Sequence, residues 1–147
     1  MKLNLIKALL PLLFITQLSL AEGVVNFYNW ADYIGESTIR DFEEEYGIKV
    51  NYDEYDSSEI VEAKLLAGNS GYDLVVHSSM YSKRLMPLKI FHEIDPTKLS
   101  NFEKLDPMLM EMLDEIDSGN KIMIPYSYGS TGVSYDAKKI LARDPNP

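Results

Sequence analysis

The 147-residue chain contains no cysteine, a single tryptophan and only two histidines. Without cysteine, disulfide bonds contribute nothing to stability, and we expect no lipid anchor attached at a cysteine. His77 and His92 have no histidine or cysteine partner at the spacing of a metal-binding motif. The sequence therefore predicts neither a metal centre nor another cofactor.

Basic residues are also scarce, because 14 lysines and arginines face 23 aspartates and glutamates and the formal charge is -9. A surface of this sign repels nucleic acid and anionic membranes, and it suits a cationic partner, although much of such charge simply faces water. We therefore expect no nucleic-acid partner.

The motifs of common enzyme sites are missing as well. No glycine-rich phosphate loop follows the first apolar strand-like run, and no GxSxG motif surrounds Ser78. His77 and Ser78 are adjacent, which makes a catalytic Ser–His hydrogen bond difficult, so we assign this pair a loop-capping role. We do not expect an enzyme; the alternative is an exported enzyme that uses Ser78 or a pair of carboxylates.

One long apolar run is present, and it lies near the N-terminus at residues 8–20. Lys2 and Lys7 precede it, and Ser19-Leu20-Ala21 has the small residues of a signal-peptidase cleavage site. The run is shorter than the roughly 20 residues of a membrane span. The pattern predicts a cleaved signal peptide over residues 1–21 and export of the chain, with an uncleaved anchor as the alternative.

After this segment, short apolar strands alternate with helical repeats. We predict strands at 24–28, 48–55 and 74–76, and helices at 37–46, after a capping box of Asp56 and Glu59, and up to Leu85. The order β-α-β-α-β predicts an α/β fold, a mainly parallel sheet with flanking helices. The apolar run 74–76 is typical of a strand that is covered on both faces.

The pattern loosens beyond residue 86. Asp106 and Pro107 predict a helix start, strands are predicted at 122–125 and 131–135, and a last helix at 137–141. The strand at 131–135 has no obvious place in the first sheet. We therefore expect a first lobe over residues 22–127, with a crossover and the start of a truncated second lobe over residues 128–147.

The most informative stretch is "NFYNWADYIGE" at 26–36, where four aromatic rings accompany a carboxylate. Phe27 and Tyr28 are assigned to the strand and the core. Trp30 and Tyr33 are placed on the following turn, and burial statistics alone leave a core role and a site role equally open for these two. A cation over such a ring gains roughly 0.5–2 kcal/mol, and Asp32 adds a charge-assisted hydrogen bond. The positive end of the next helix disfavours a cation, so carboxylates must offset it.

Four stretches resemble the periplasmic polyamine-binding proteins, the spermidine/putrescine-binding components of ABC transporters. They are "NFYNWADYIGEST", "FEEEYGIKVNYDEYDSSEIVEAKLLAGNSGYDLVVHSS", "KLDPMLM" and "MIPYSYGSTGVSYD". The resemblance implies one lobe of a two-lobed type II periplasmic binding protein, and hence a periplasmic location. It also implies a polyamine ligand such as putrescine or spermidine, a membrane permease as partner, and a monomer.

Matched to the family's motif, Trp30 and Tyr33 correspond to aromatic contacts of the ligand, Asp32 to the acidic position, and Ser78 to the serine after the third strand. Ala31 stands where better-known members have a hydroxyl residue, and His77 replaces a usual proline. Because family members are much longer, the resemblance also implies an N-terminal fragment. A binder of a different small solute on the same scaffold, or a truncated product without independent activity, are the alternatives.

Overall fold

The computed structural model describes residues 23–143, and its centre is a sheet of three parallel strands. These are β1 (Val24–Trp30), β2 (Lys49–Tyr55) and β3 (Leu74–Val75), in the order β2-β1-β3. β1 pairs with β2 along its whole length, whereas β3 pairs only with Phe27 and Tyr28. The predicted α/β fold with a parallel sheet is confirmed.

Helices connect and follow the strands. They are α1 (Thr38–Tyr46), α2 (Ser58–Leu66), α3 (Ser79–Leu85), α4 (Pro107–Asp114) and α5 (Ala137–Arg143), with short 3-10 turns at Met86–Leu88, Pro96–Lys98 and Phe102–Lys104. None of the helices within 23–143 is both long and apolar enough to cross a bilayer. The predicted signal peptide over residues 1–21 lies outside the described residues.

Two helix ends follow the chemistry expected of them. α1 ends at Gly47, whose φ of 65° is left-handed and whose N–H donates to the Glu43 carbonyl at 2.9 Å. α4 begins after Asp106, whose carboxylate accepts from the Met108 N–H at 2.8 Å, with Pro107 in the first turn.

Two predicted boundaries are wrong. β1 continues to Trp30 instead of ending at Tyr28, because Asn29 and Trp30 still pair with the end of β2. Trp30 is therefore the last residue of a strand and not part of a turn. The predicted capping box is also wrong, since the residue before α2 is Ser57, whose Oγ accepts from the Ile60 N–H at 3.4 Å.

The later strand predictions are wrong as well. β3 has two residues instead of three, and Leu74 is 53% exposed, so the strand is not covered on both faces. Residues 122–125 and 131–135 contain no strand. In the first of these segments, the N–H groups of Ile122 and Met123 donate to the buried Asp117 carboxylate, at 2.8 and 2.9 Å, instead of to a neighbouring strand.

The core lies mainly between the sheet and the helices α2 and α3. Its buried cluster consists of Tyr28, Tyr55, Val61, Leu65 and Leu85. On the opposite face of β1, the Phe27 ring meets Tyr52 edge to face, with centroids 5.4 Å apart. The assignment of Phe27 and Tyr28 to the core is confirmed, because both are buried.

Candidate binding site at the carboxyl edge of the sheet

Three loops meet at one edge of the sheet because the three strands are parallel. Residues 31–37 follow β1, residues 56–57 follow β2, and residues 76–78 follow β3. In open parallel sheets, ligands bind in the crevice at this carboxyl edge. All four predicted site residues, Trp30, Asp32, Tyr33 and Ser78, lie on β1's last position or on these loops.

Trp30 and Tyr33 stand side by side, with ring centroids 6.3 Å apart and planes inclined by 42°. Trp30 is partly buried and packs on the core, where its ring centroid is 4.5 Å from that of Tyr55. Tyr33 is 54% exposed. The two rings therefore form a surface that is anchored at one end in the core and open to solvent at the other.

The backbone between these rings is a tight turn. The Ala31 N–H donates to the Tyr55 carbonyl at 2.9 Å, and the Tyr33 N–H donates to the Trp30 carbonyl at 3.3 Å. Asp32 sits between them with a φ of 62°, in the left-handed region that aspartate tolerates better than most residues. Its side chain is exposed, so its carboxylate faces the water at this edge.

Ser78 occupies the N-cap position of α3 on the neighbouring loop. Its carbonyl accepts from the N–H groups of Tyr81 and Ser82, both at 3.0 Å, but its side chain makes no capping hydrogen bond. The predicted loop-capping role of the His77-Ser78 pair is therefore wrong for the Ser78 hydroxyl. That hydroxyl is left available for another partner at the edge.

His77 points to a different serine. Its Nδ1 lies 3.3 Å from the Ser82 Oγ, and its ring is 5.6 Å from that of Tyr81. Burial lowers the pKa of His77, a nearby Arg84 adds to the effect, and Glu62 and the Ser58 backbone oppose it. The arrangement does not assemble a Ser78–His77 nucleophile.

The end of β2 contributes two carboxylates that the sequence analysis missed. A shallow cavity of about 320 Å³ is lined by Tyr28, Ala31, Glu54, Tyr55, Asp56 and Ile60. Both Glu54 and Asp56 are exposed. The parallel register was the signal that could have found them, because it pairs Glu54 with Asn29, next to Trp30.

The loops at this edge contain acidic residues but no lysine or arginine. Asp32, Glu36, Glu54 and Asp56 lie in or beside the three loops, and residues 31–37, 54–57 and 76–79 contain no lysine or arginine. Burial raises the pKa of Tyr52, the hydrogen bond with Asn29 opposes the shift, and the carboxylates of Glu54 and Asp32 add to it. The edge therefore favours a cation and disfavours an anion.

A buried polar residue lies directly behind the turn. Asn29 has no exposed surface; its Oδ1 accepts from the Trp30 N–H at 2.8 Å, and its Nδ2 donates to the Tyr52 hydroxyl at 3.2 Å. Its Nδ2 also lies 3.5 Å from the hydroxyl of Tyr126. The sequence analysis assigned no role to Asn29 or Tyr126, because a contact across 97 positions leaves no local pattern.

The described residues offer little to a metal ion. Within 23–143, no three histidine, cysteine or acidic side chains converge as a metal site. The chemistry available at the edge is that of aromatic faces, carboxylates and one hydroxyl.

Comparison with known proteins finds relatives of this chain among periplasmic putrescine-binding proteins. The putrescine-binding periplasmic protein PotF of Escherichia coli is 40% identical over 125 residues, which cover 85% of this chain and 34% of PotF. The putrescine-binding periplasmic protein SpuD of Pseudomonas aeruginosa is 44% identical over 119 residues, which cover 81% of this chain and 32% of SpuD. No family model matches the chain.

A solved structure shows the same fold. The crystal structure of the spermidine/putrescine ABC transporter substrate-binding protein PotD from Streptococcus pneumoniae superposes with a TM-score of 0.65 at 32% identity. The match covers 71% of this chain and 32% of that one. The predicted resemblance is confirmed, and the chain spans about a third of the length of the relatives it matches.

Proposed function

We propose that this chain, a relative of the periplasmic polyamine-binding proteins, supplies one lobe of an exported solute-binding component that captures putrescine or spermidine for an ABC transporter. The observation that carries the proposal is the carboxyl edge of the sheet. There, Trp30 and Tyr33 stand beside exposed carboxylates, and the loops that form the edge contain no lysine or arginine. A polyamine combines the two properties that this edge can recognise, an alkyl chain and protonated amines.

Each side chain has a distinct task in this proposal. The faces of Trp30 and Tyr33 pack on the alkyl-ammonium chain, where a cation over a ring contributes about 0.5–2 kcal/mol, more as water is excluded. Asp32 accepts a charge-assisted hydrogen bond from an amine. The Ser78 hydroxyl, which does not cap α3, offers a neutral acceptor on the adjacent loop.

Glu54 and Asp56 extend the acidic surface beyond the turn. They line the cavity with Ala31, one residue before Asp32. A diamine or longer polyamine needs more than one carboxylate, and these two side chains supply negative charge near the single acid of the turn. They make a polycation a better ligand for this edge than a monoamine.

The whole protein's assembly is part of the proposal. Residues 22–127 would form the first lobe and residues 128–147 the crossover to a second, with the ligand enclosed between the lobes. The component would act in the periplasm as a monomer and deliver its ligand to a membrane permease. Similarity to solute-binding proteins, and the contact of His77 with Ser82 and not with Ser78, support binding over catalysis.

The proposal is tested by titrating the full-length protein with putrescine and with spermidine and measuring the heat of binding by calorimetry. We expect saturable binding of at least one polyamine, and Trp30→Leu should weaken it by about 10-fold or more because the cation–π face is lost. Trp30→Phe is the matched control, since it keeps a ring and should lose less. Absence of polyamine binding, together with binding of another solute, would reject the assignment.

A further inference from the structure

The turn that follows Trp30 and carries Tyr33 is held from a distant part of the chain. The Tyr126 hydroxyl donates to the backbone carbonyl of Tyr33 at 2.5 Å, across 93 positions of sequence. The same hydroxyl lies 3.5 Å from the Nδ2 of the fully buried Asn29. Tyr126 is itself 50% exposed, so a large tyrosine ring is kept at the surface for this contact.

The contact adds to the hydrogen bonds that hold the turn on its other sides. On one side, the Ala31 N–H is bound by the Tyr55 carbonyl, at 2.9 Å. At the strand end, the Trp30 N–H is bound by the Asn29 Oδ1 at 2.8 Å. The carbonyl of Tyr33, at the end of the turn, accepts from the Tyr126 hydroxyl.

The hydrogen bond from Tyr126 stabilises a turn that is otherwise weakly held. Asp32 holds a left-handed φ of 62°, a backbone conformation that residues other than glycine adopt less readily, and Tyr33 has an exposed ring. Without the hydroxyl, the Tyr33 carbonyl turns to water and the ring of Tyr33 is free to leave its place beside Trp30. Binding would then include the cost of ordering the turn again.

We propose that Tyr126 is a positioning residue for the amine site: its hydroxyl, set between Asn29 and Tyr33, holds the aromatic turn in the conformation that places the Tyr33 ring beside Trp30. This inference rests on the proposed function of the turn. It also gives the segment after Lys121 a role at the site, because that segment contributes a hydroxyl to the turn without contributing a strand to the sheet.

The test removes the hydroxyl and keeps the ring. Tyr126→Phe should weaken putrescine binding about 5-fold, the size expected for the loss of one neutral hydrogen bond. Tyr128→Phe is the matched control: it makes the same chemical change two residues away, at a 63% exposed tyrosine that makes no hydrogen bond through its side chain within residues 23–143. We expect the control to bind as the wild type does.

A second measurement separates positioning from a general loss of stability. Trp30 is the only tryptophan of this chain, so quenching of its fluorescence by acrylamide reports the turn directly and needs no ligand. In the 147-residue chain, under conditions where all variants remain folded, Tyr126→Phe should increase the quenching constant and Tyr128→Phe should not.

The two measurements decide the inference together. Wild-type quenching in Tyr126→Phe, or unchanged putrescine affinity, would overturn it, and equal effects in Tyr128→Phe would overturn it too. If the wild type binds no polyamine, the proposed function fails. In that case, unchanged quenching would also refute Tyr126 as the residue that holds the turn, whereas increased quenching would leave that local role standing without an amine site.

Discussion

His77 links the chemistry of a single side chain to the pH dependence of the fold. Burial lowers its pKa below the ordinary value of 6.5, although Glu62 and the Ser58 backbone oppose the shift. The unfolded chain therefore takes up a proton near pH 6.5, whereas the folded chain does so only at lower pH. Its contribution to stability is present above pH 6.5 and is lost as the pH falls through the folded pKa.

We expect His77→Asn to flatten this dependence. The free energy of unfolding of the wild type should fall more between pH 7 and pH 5 than that of the variant. Urea unfolding at the two pH values measures the difference. His92→Asn, at the other and exposed histidine, is the control; an equal pH slope in wild type and His77→Asn would contradict the assignment.

At the scale of single elements, α4 shows how the residue before a helix stabilises its first turn. The Asp106 carboxylate accepts from two backbone N–H groups, those of Met108 at 2.8 Å and Leu109 at 3.4 Å. These groups have no partner within the helix, and the aspartate also opposes the positive end of the helix dipole. The cap therefore acts through both hydrogen bonding and charge.

Asp106→Ala should lower the free energy of unfolding by about 1 kcal/mol, because two N–H groups lose their acceptor. Chemical denaturation gives the value directly. Glu111→Ala, which removes an exposed acid from the body of the same helix, should change stability by less than about 0.5 kcal/mol. A cost for Asp106→Ala no larger than that of the control would contradict the role of the cap.

The elements also show which features local sequence can predict. The Gly47 stop and the Asp106 cap are right because each depends on a few adjacent residues. The end of β1 was placed two residues early because its last pairs, with Glu54 and Tyr55, are made by another strand. The absence of a strand at 122–125 depends on the buried Asp117 carboxylate. It accepts hydrogen bonds from the N–H groups of Ile122 and Met123, which are then not available for pairing with another strand.

The candidate site divides in the same way. Trp30, Asp32 and Tyr33 could be proposed because they are neighbours in sequence with complementary chemistry. Glu54 and Asp56 join them only through the parallel register of β1 and β2. Tyr126 reaches the turn through a contact that no spacing rule describes.

At the scale of the whole molecule, the described part of the chain presents its candidate site as an open edge. Tyr33 is 54% exposed, and the carboxylates of Asp32, Glu54 and Asp56 face water. A bound amine would keep most of its own water at such an edge. The cation–π contacts and the carboxylates then contribute only the small binding free energies that such interactions have in water.

We therefore expect the 147-residue chain alone to bind putrescine only at millimolar concentration, which is about 4 kcal/mol of binding free energy. NMR titration of the Trp30 indole signal measures this affinity. Butane-1,4-diol, which has a similar length and no charge, serves as the control and should cause no shift. Micromolar binding of putrescine by this chain would show that a single edge is enough for recognition.

The left-handed backbone at Asp32 limits how this edge could be redesigned. A φ of 62° is comfortable for glycine and tolerable for asparagine and aspartate, but it strains other side chains by roughly 1–2 kcal/mol. Exchanging the acid for lysine or arginine, to convert the edge into an anion receptor, would alter the backbone and the charge together. An engineer seeking a new ligand class would do better to vary Ala31, Glu54 or Asp56 and leave position 32 to glycine, asparagine or aspartate.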